Sequence, residues 1–164
     1  MGSRRTPPTG STVNRELTQV DGLAQLSFLV QRMLERRAAE YDLSIIQTRL
    51  LGVLRDRRPT INELGRLLAL DKSSVSGLVD RAERRGLVTR APSPADGRAV
   101  LVTLTDHGRT IVSDASSRFE ADVLELLGPL SPSDRRALSR ILSRLLVAHA
   151  ADQGIDLFPG VDTG

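Results

Sequence analysis

The hydrophobic period of this chain changes at Gly86, and few folds accommodate such a switch. Upstream, Ile61, Leu64, Leu67 and Leu68, then Val75, Leu78, Val79 and Ala82, recur at the spacing that keeps one helical face apolar. Downstream, LVTRA and RAVLVTL are β-prone runs, and Asp96-Gly97 between them is a hairpin turn signal, with Pro92 and Pro94 keeping the approach extended. Thr60 and Glu63 have capping-box spacing, Asp71 is an N-cap residue, and Gly86 suits a C-terminal cap. The order is short helix, turn, second helix, two-stranded hairpin.

Long amphipathic segments flank this unit. Leu17, Val20, Leu23, Leu26, Val30, Met33, Leu34 and Tyr41 predict one helix from Asn14 to about Glu40. At 1.5 Å per residue it spans close to 40 Å, more than a compact domain of this size needs, so part of it is expected to serve a partner chain. Ser44 and Gln47 open a second helix through Leu54, which Arg55 to Pro59 breaks. Thr105 caps a long helix carrying Ile111, Val112, Ala115, Phe119 and Val123, closed by Gly128-Pro129. Ser131, Pro132 and Asp134 begin a last helix with Leu138, Ile141, Leu142, Leu145 and Leu146 on one face. The expected organisation is a disordered arm over 1–13, an N-terminal helix over 14–43, the helix-turn-helix with its hairpin over 44–104, C-terminal helices over 105–150 and a tail over 151–164. The fold class is mainly α with a small β-hairpin wing.

Composition narrows the chemistry. Aromatic residues make up 2% of the chain, which disfavours base stacking as a mode of binding. Cysteine is absent, which removes disulfides and thiolate sites and favours a cytoplasmic setting. No apolar run reaches the length of a membrane span. His107 and His149 fall on different expected helices, one in a first turn and one near a helix end, so no metal or other cofactor is expected. Neither a phosphate-cradling loop nor a catalytic triad spacing is present, and an enzyme is not expected. Charge is uneven: 11 basic and 6 acidic residues lie between Ser44 and Leu104, against 6 and 9 from Thr105 onward. Such a basic middle fits a polyanion contact, or a chain in which arginine is the general solvating cation, Lys72 being its only lysine.

The second helix of the central unit separates these readings. Opposite its apolar face stand Lys72, Ser73, Ser74, Ser76, Gly77 and Arg81. Serine is a mediocre helix former, and three serines in four positions are an odd choice for plain solvation. Small side chains let a helix approach base edges and phosphates, as the second helix of a winged helix-turn-helix does in the major groove. The plainer alternative pairs Arg81 with a carboxylate such as Asp80 or Glu83. At the hairpin tip Arg98 suits a narrow minor groove, and Asp96 can pair with it locally and hold it extended.

LSIIQTRLLGVL, TINELGRLLALDKSSVSGLVDRAERRGLV, the wing motif DGR at Asp96 to Arg98, and VLVTLTDHGR together resemble the MarR family of bacterial transcriptional regulators. The resemblance implies an intertwined homodimer joined through its terminal helices, with Leu17, Val20, Leu138, Ile141, Leu142 and Leu145 at the interface. It implies binding of a pseudo-palindromic double-stranded operator, usually as a repressor. By position, Ser73, Ser74, Ser76, Gly77 and Arg81 fall on the recognition helix and Arg98 is the wing arginine. Lys72 would meet a phosphate, and Thr60 would offer its amide and hydroxyl to the backbone. Many members release DNA when a small aromatic or other organic effector binds between the dimerisation region and the winged unit. Phe28, Met33 and Tyr41 are the aromatic and thioether candidates for such a site, and ordinary core residues otherwise. A winged-helix protein–protein adaptor without sequence-specific DNA binding is the alternative.

Overall fold

The computed structural model describes residues 16–94 and 99–155. Its elements are α1 (Gln19–Ala39), α2 (Ile45–Asp56), α3 (Ile61–Leu68), α4 (Lys72–Arg84), β1 (Val88–Pro92), β2 (Val100–Leu104), α5 (Asp106–Leu126) and α6 (Pro132–Asp152). Asp96 and Arg98 lie outside the described residues.

Each helix begins where a side chain can accept from the free amides of its first turn. Ser44 with Gln47 and Thr60 with Glu63 form complete capping boxes, while Asp71, Thr105 and Ser131 cap α4, α5 and α6. The first helix starts later than its apolar spacing suggests. Glu16 to Thr18 are not helical, because the Thr18 hydroxyl accepts from the Asp21 amide and ends the helix there. At the other end α6 continues to Asp152, past the expected limit at Ala150, and closes at Gly154, whose φ is +63°.

The core lies beneath α4. Leu50, Leu64, Val75, Leu78, Val79, Leu87, Val88 and Val102 are fully buried and come from α2, α3, α4 and the hairpin. Each such aliphatic side chain contributes about 2 kcal/mol by leaving water, so the apolar stripe of α4 fixes its rotation and turns the small residues outward. β1 and β2 are antiparallel, with Val88 opposite Leu104 and Pro92 opposite Val100. A further bridge, Thr60 to Leu101, ties the hairpin to the start of α3, with the Val102 amide donating to the Pro59 carbonyl at 2.9 Å. Between α3 and α4 the chain turns through Ala69 in the left-handed region, φ 54°.

α1 packs on α2 and α5, yet Ala38 is its only buried residue. α6 buries Ala150 alone. Leu17, Val20, Ile141, Leu142 and Leu145 are exposed and Leu138 is half-buried, so these faces find no partner among the described residues. Phe28, also exposed, is not a core residue of this chain. No described helix is long and apolar enough to cross a membrane.

Candidate nucleic-acid interface

α4 presents three lines of side chains above its buried stripe. Ser73, Gly77, Asp80 and Arg84 share the outermost line at helical spacing. Ser73, Ser74, Gly77 and Arg81, with Ile46, Leu70 and Leu78, line a groove of about 310 Å³ on the side toward α2. Ser76 and Glu83 lie on the opposite flank, toward the hairpin, where the Ser76 carbonyl and the Glu83 carboxylate face Arg90. The small residues grouped by sequence thus divide between two flanks.

The N-terminus of α4 is organised by Asp71. Its carboxylate accepts from the Ser73 hydroxyl at 2.5 Å, the Ser74 hydroxyl at 2.6 Å and the Ser74 amide at 2.9 Å. These bonds, the two hydroxyls foremost, hold the Asp71 carboxyl well below the usual carboxylate range. Both serine protons are therefore committed, and what the hydroxyls offer outward is acceptor lone pairs. Thr60 is committed likewise. Its amide and hydroxyl both donate to Glu63, at 2.7 and 2.9 Å, so the donors that sequence reasoning assigned to a DNA backbone are occupied in this conformation.

Arg81 is exposed and makes no ion pair among the described residues; Asp80 and Glu83, the carboxylates of the plainer alternative, are both taken by Arg90 of β1. Lys72 and Arg84 are exposed and likewise without ion pairs among the described residues. Arg84 was not singled out from sequence, although its seven-residue spacing from Gly77 carries the signal. At the C-terminal end Arg85 donates to the Asp42 and Tyr41 carbonyls at 2.7 and 2.9 Å, fastening α4 to the turn between α1 and α2.

Behind this surface, α1 and α5 are joined by charge. Arg37 donates to both oxygens of Asp122, at 2.6 and 2.8 Å, and Arg36 lies 3.0 Å from the same carboxylate. The Arg37 hydrogen bonds lower the Asp122 carboxyl to about 2, against the opposing effect of burial. A carboxyl lowered on folding adds stability above its ordinary value, about 4, and loses it as pH falls toward the folded value. Asp122→Asn is accordingly expected to melt below the wild type at pH 7, with the gap closing between pH about 4 and about 2. Thermal melts of both proteins across that range check this; a gap independent of pH would assign the loss to packing.

α1, α2 and α5 enclose a cavity of about 270 Å³ lined by Leu34, Leu43, Leu51, Ile111, Val112 and Phe119, with Arg37, Arg49 and Arg55 among its polar groups. Phe28, Met33 and Tyr41 do not line it; Tyr41 packs against the core and donates its hydroxyl to Asp114.

Residues 41–99, from the turn before α2 to the start of β2, match the MarR family model. The chain is 32% identical over 115 residues to the HTH-type transcriptional regulator MgrA of Staphylococcus aureus, spanning 70% of this chain and 76% of that protein. The chain belongs to the MarR family of transcriptional regulators. It is also 29% identical over 153 residues to the HTH-type transcriptional repressor NicR of Pseudomonas putida, covering 88% of this chain and 95% of that one. Wild-type apo MarR from E. coli shares its winged-helix fold, with a TM-score of 0.66 and 25% identity over 80% of this chain and 99% of that chain.

In this MarR-family chain one position that sequence reasoning passed over supports the whole interface. A Cβ at Gly108 would stand 2.0 Å from the Leu87 carbonyl oxygen, so α5 can begin against the base of the hairpin only without a side chain there. The signal was present in TDHGR, three residues after the Thr105 cap, but no local rule demands glycine in a first helical turn.

Proposed function

We propose that the protein is a homodimeric, sequence-specific DNA-binding repressor acting in the cytoplasm, relieved by a small organic ligand. The observation that carries this reading is the face of α4, where small residues and the cations Lys72, Arg81 and Arg84 surround Gly77 above a rigid aliphatic core. In the proposed complex Ser73, Ser74, Ser76, Gly77 and Arg81 meet the major groove, Lys72 meets a phosphate, and Asp96 with Arg98 serve the adjacent minor groove. The exposed apolar faces of α1 and α6 form the interface with a second copy, which sets two recognition helices on a pseudo-palindrome. A mutant MepR from S. aureus of the same fold is described as bound to an oligodeoxyribonucleotide, with a TM-score of 0.57 and 23% identity over 81% of this chain and 99% of that one.

The cavity between α1, α2 and α5 is the proposed effector site. A dry cavity of roughly 150 Å³ accommodates benzene, so about 270 Å³ admits a substituted single ring, its body on Leu51, Val112 and Phe119 and any acid group toward Arg49. Occupation there acts on the joint between the terminal helices and the winged unit, which is where operator spacing would be set.

Selection of fragmented host genomic DNA by the purified protein at near-physiological salt tests the reading. Recovery of a few fragments sharing a palindrome, with half-sites roughly one helical turn apart, supports it. Retention without a shared site favours a protein–protein adaptor. On a recovered duplex, affinity is expected to fall steeply with salt as counterions are released. Arg98→Ala is expected to weaken binding roughly tenfold by equilibrium anisotropy. Unimpaired binding by that variant would remove the wing from the contact.

A further inference from the structure

We propose that Arg90 is a positioning residue for DNA reading: from the wing strand it braces α4 and covers two carboxylates that would otherwise oppose a phosphate backbone. The inference rests on the DNA-binding reading above.

Asp80 lies on the outermost line of α4, between Gly77 and Arg84, and Glu83 lies on the flank toward the hairpin. Their side chains remain 50% and 39% exposed, so both stand at the surface that a polyanion would approach. The Arg90 side chain, 27% exposed, reaches them from β1 and lies between helix and hairpin. Its Nη2 donates to Asp80 Oδ1 at 2.6 Å and to the Ser76 carbonyl at 3.5 Å, while Nη1 donates to Glu83. A planar guanidinium with a fixed fork of donors can serve two carboxylates and a carbonyl at once; an ammonium has no such span.

Two consequences follow from this one side chain. Electrostatically, it neutralises acidic groups interleaved with Lys72, Arg81 and Arg84, so that the exposed face of α4 presents net positive charge to DNA. Geometrically, it fixes the hairpin against the flank of α4 at Ser76, and the angle between them decides whether helix and wing reach adjacent grooves together. Ion pairs this exposed contribute little to folding stability, so binding is expected to register the loss far more than melting does.

The experiment measures affinity for a fluorescein-labelled duplex recovered by the genomic selection, and for a scrambled duplex of the same composition, with circular dichroism and thermal melts alongside. Wild-type preference for the recovered duplex is the first readout; without it the DNA-binding reading falls, and this inference with it, before any variant is compared. Given that preference, Arg90→Gln is expected to keep its helical spectrum and lose roughly tenfold or more in affinity for the recovered duplex. Arg90→Lys is expected to regain part of that loss. The triple variant Arg90→Gln, Asp80→Asn, Glu83→Gln is expected to regain more, because the carboxylates are gone. Wild-type affinity in Arg90→Gln overturns the proposal, as does a folded triple variant as weak as the single one. Should Arg90→Gln fail to fold, the double variant Asp80→Asn, Glu83→Gln decides: its amide oxygens still accept from Arg90 and keep the brace while the negative charges are gone, so it is expected to bind at least as tightly as wild type, and weaker binding overturns the role.

Discussion

Gly108→Ala is expected to destabilise the protein by about 3 kcal/mol or more, enough to unfold much of a marginally stable population. The added Cβ would meet the Leu87 carbonyl oxygen at 2.0 Å and the carbonyl carbon at 3.0 Å. Neither neighbour can yield, because both are backbone and Leu87 is fully buried. That carbonyl also accepts from the Thr105 amide at 3.1 Å, and the Thr105 hydroxyl donates to the Gly86 carbonyl at 2.6 Å. Relief therefore requires the first turn of α5 to withdraw from the hairpin, with loss of those two bonds. Denaturant titration of the two proteins measures the difference. A cost below about 1 kcal/mol would mean that α5 and the hairpin are not held as closely as described.

The second large effect concerns assembly. Leu145→Glu is expected to convert the proposed dimer into monomers and to abolish specific DNA binding with it. Leu145 is 56% exposed in the single chain, so the substitution leaves the protomer's core untouched. In a two-fold dimer each substitution counts twice, and each copy loses a buried leucine worth about 2 kcal/mol and gains a charge without a partner. The summed penalty implies a dissociation constant raised by roughly a thousandfold or more. Sedimentation velocity at micromolar concentration distinguishes the species. A variant that remains dimeric would move the interface away from this face of α6, whereas a monomeric variant that still binds the recovered duplex with full affinity would detach DNA recognition from assembly.

Most of the framework could be read in the chain because its determinants are local. Caps at Ser44, Thr60, Asp71, Thr105 and Ser131 act within a single turn, and the hydrophobic period states which face of each helix is buried. The change of period at Gly86, where φ is +66°, marked the passage from helix to hairpin for the same reason. The first helix starts later than its apolar spacing predicts, because that spacing continues through Leu17 while the Thr18 cap interrupts the backbone.

The candidate site was legible as a set of residues but not as an arrangement. Sequence placed Ser73, Ser74, Ser76, Gly77 and Arg81 on one helix; rotation about the buried stripe then divided them between a groove toward α2 and a flank facing the hairpin. Pairing was the larger gap. Arg81 stands beside Asp80 in the chain, yet Arg90, ten residues beyond that carboxylate, takes it. Asp122 lies 85 residues from Arg37, and the clash that makes Gly108 indispensable involves a residue of the hairpin.

The order of the elements and their buried faces are legible in the chain because they depend on hydrogen bonds and periodicities only a few residues long. Which charges are paired, which hydroxyls are already committed and where a glycine is compulsory became visible in the folded chain alone. Those outcomes depend on distances between segments that packing of the aliphatic core alone brings together, and no local preference encodes them.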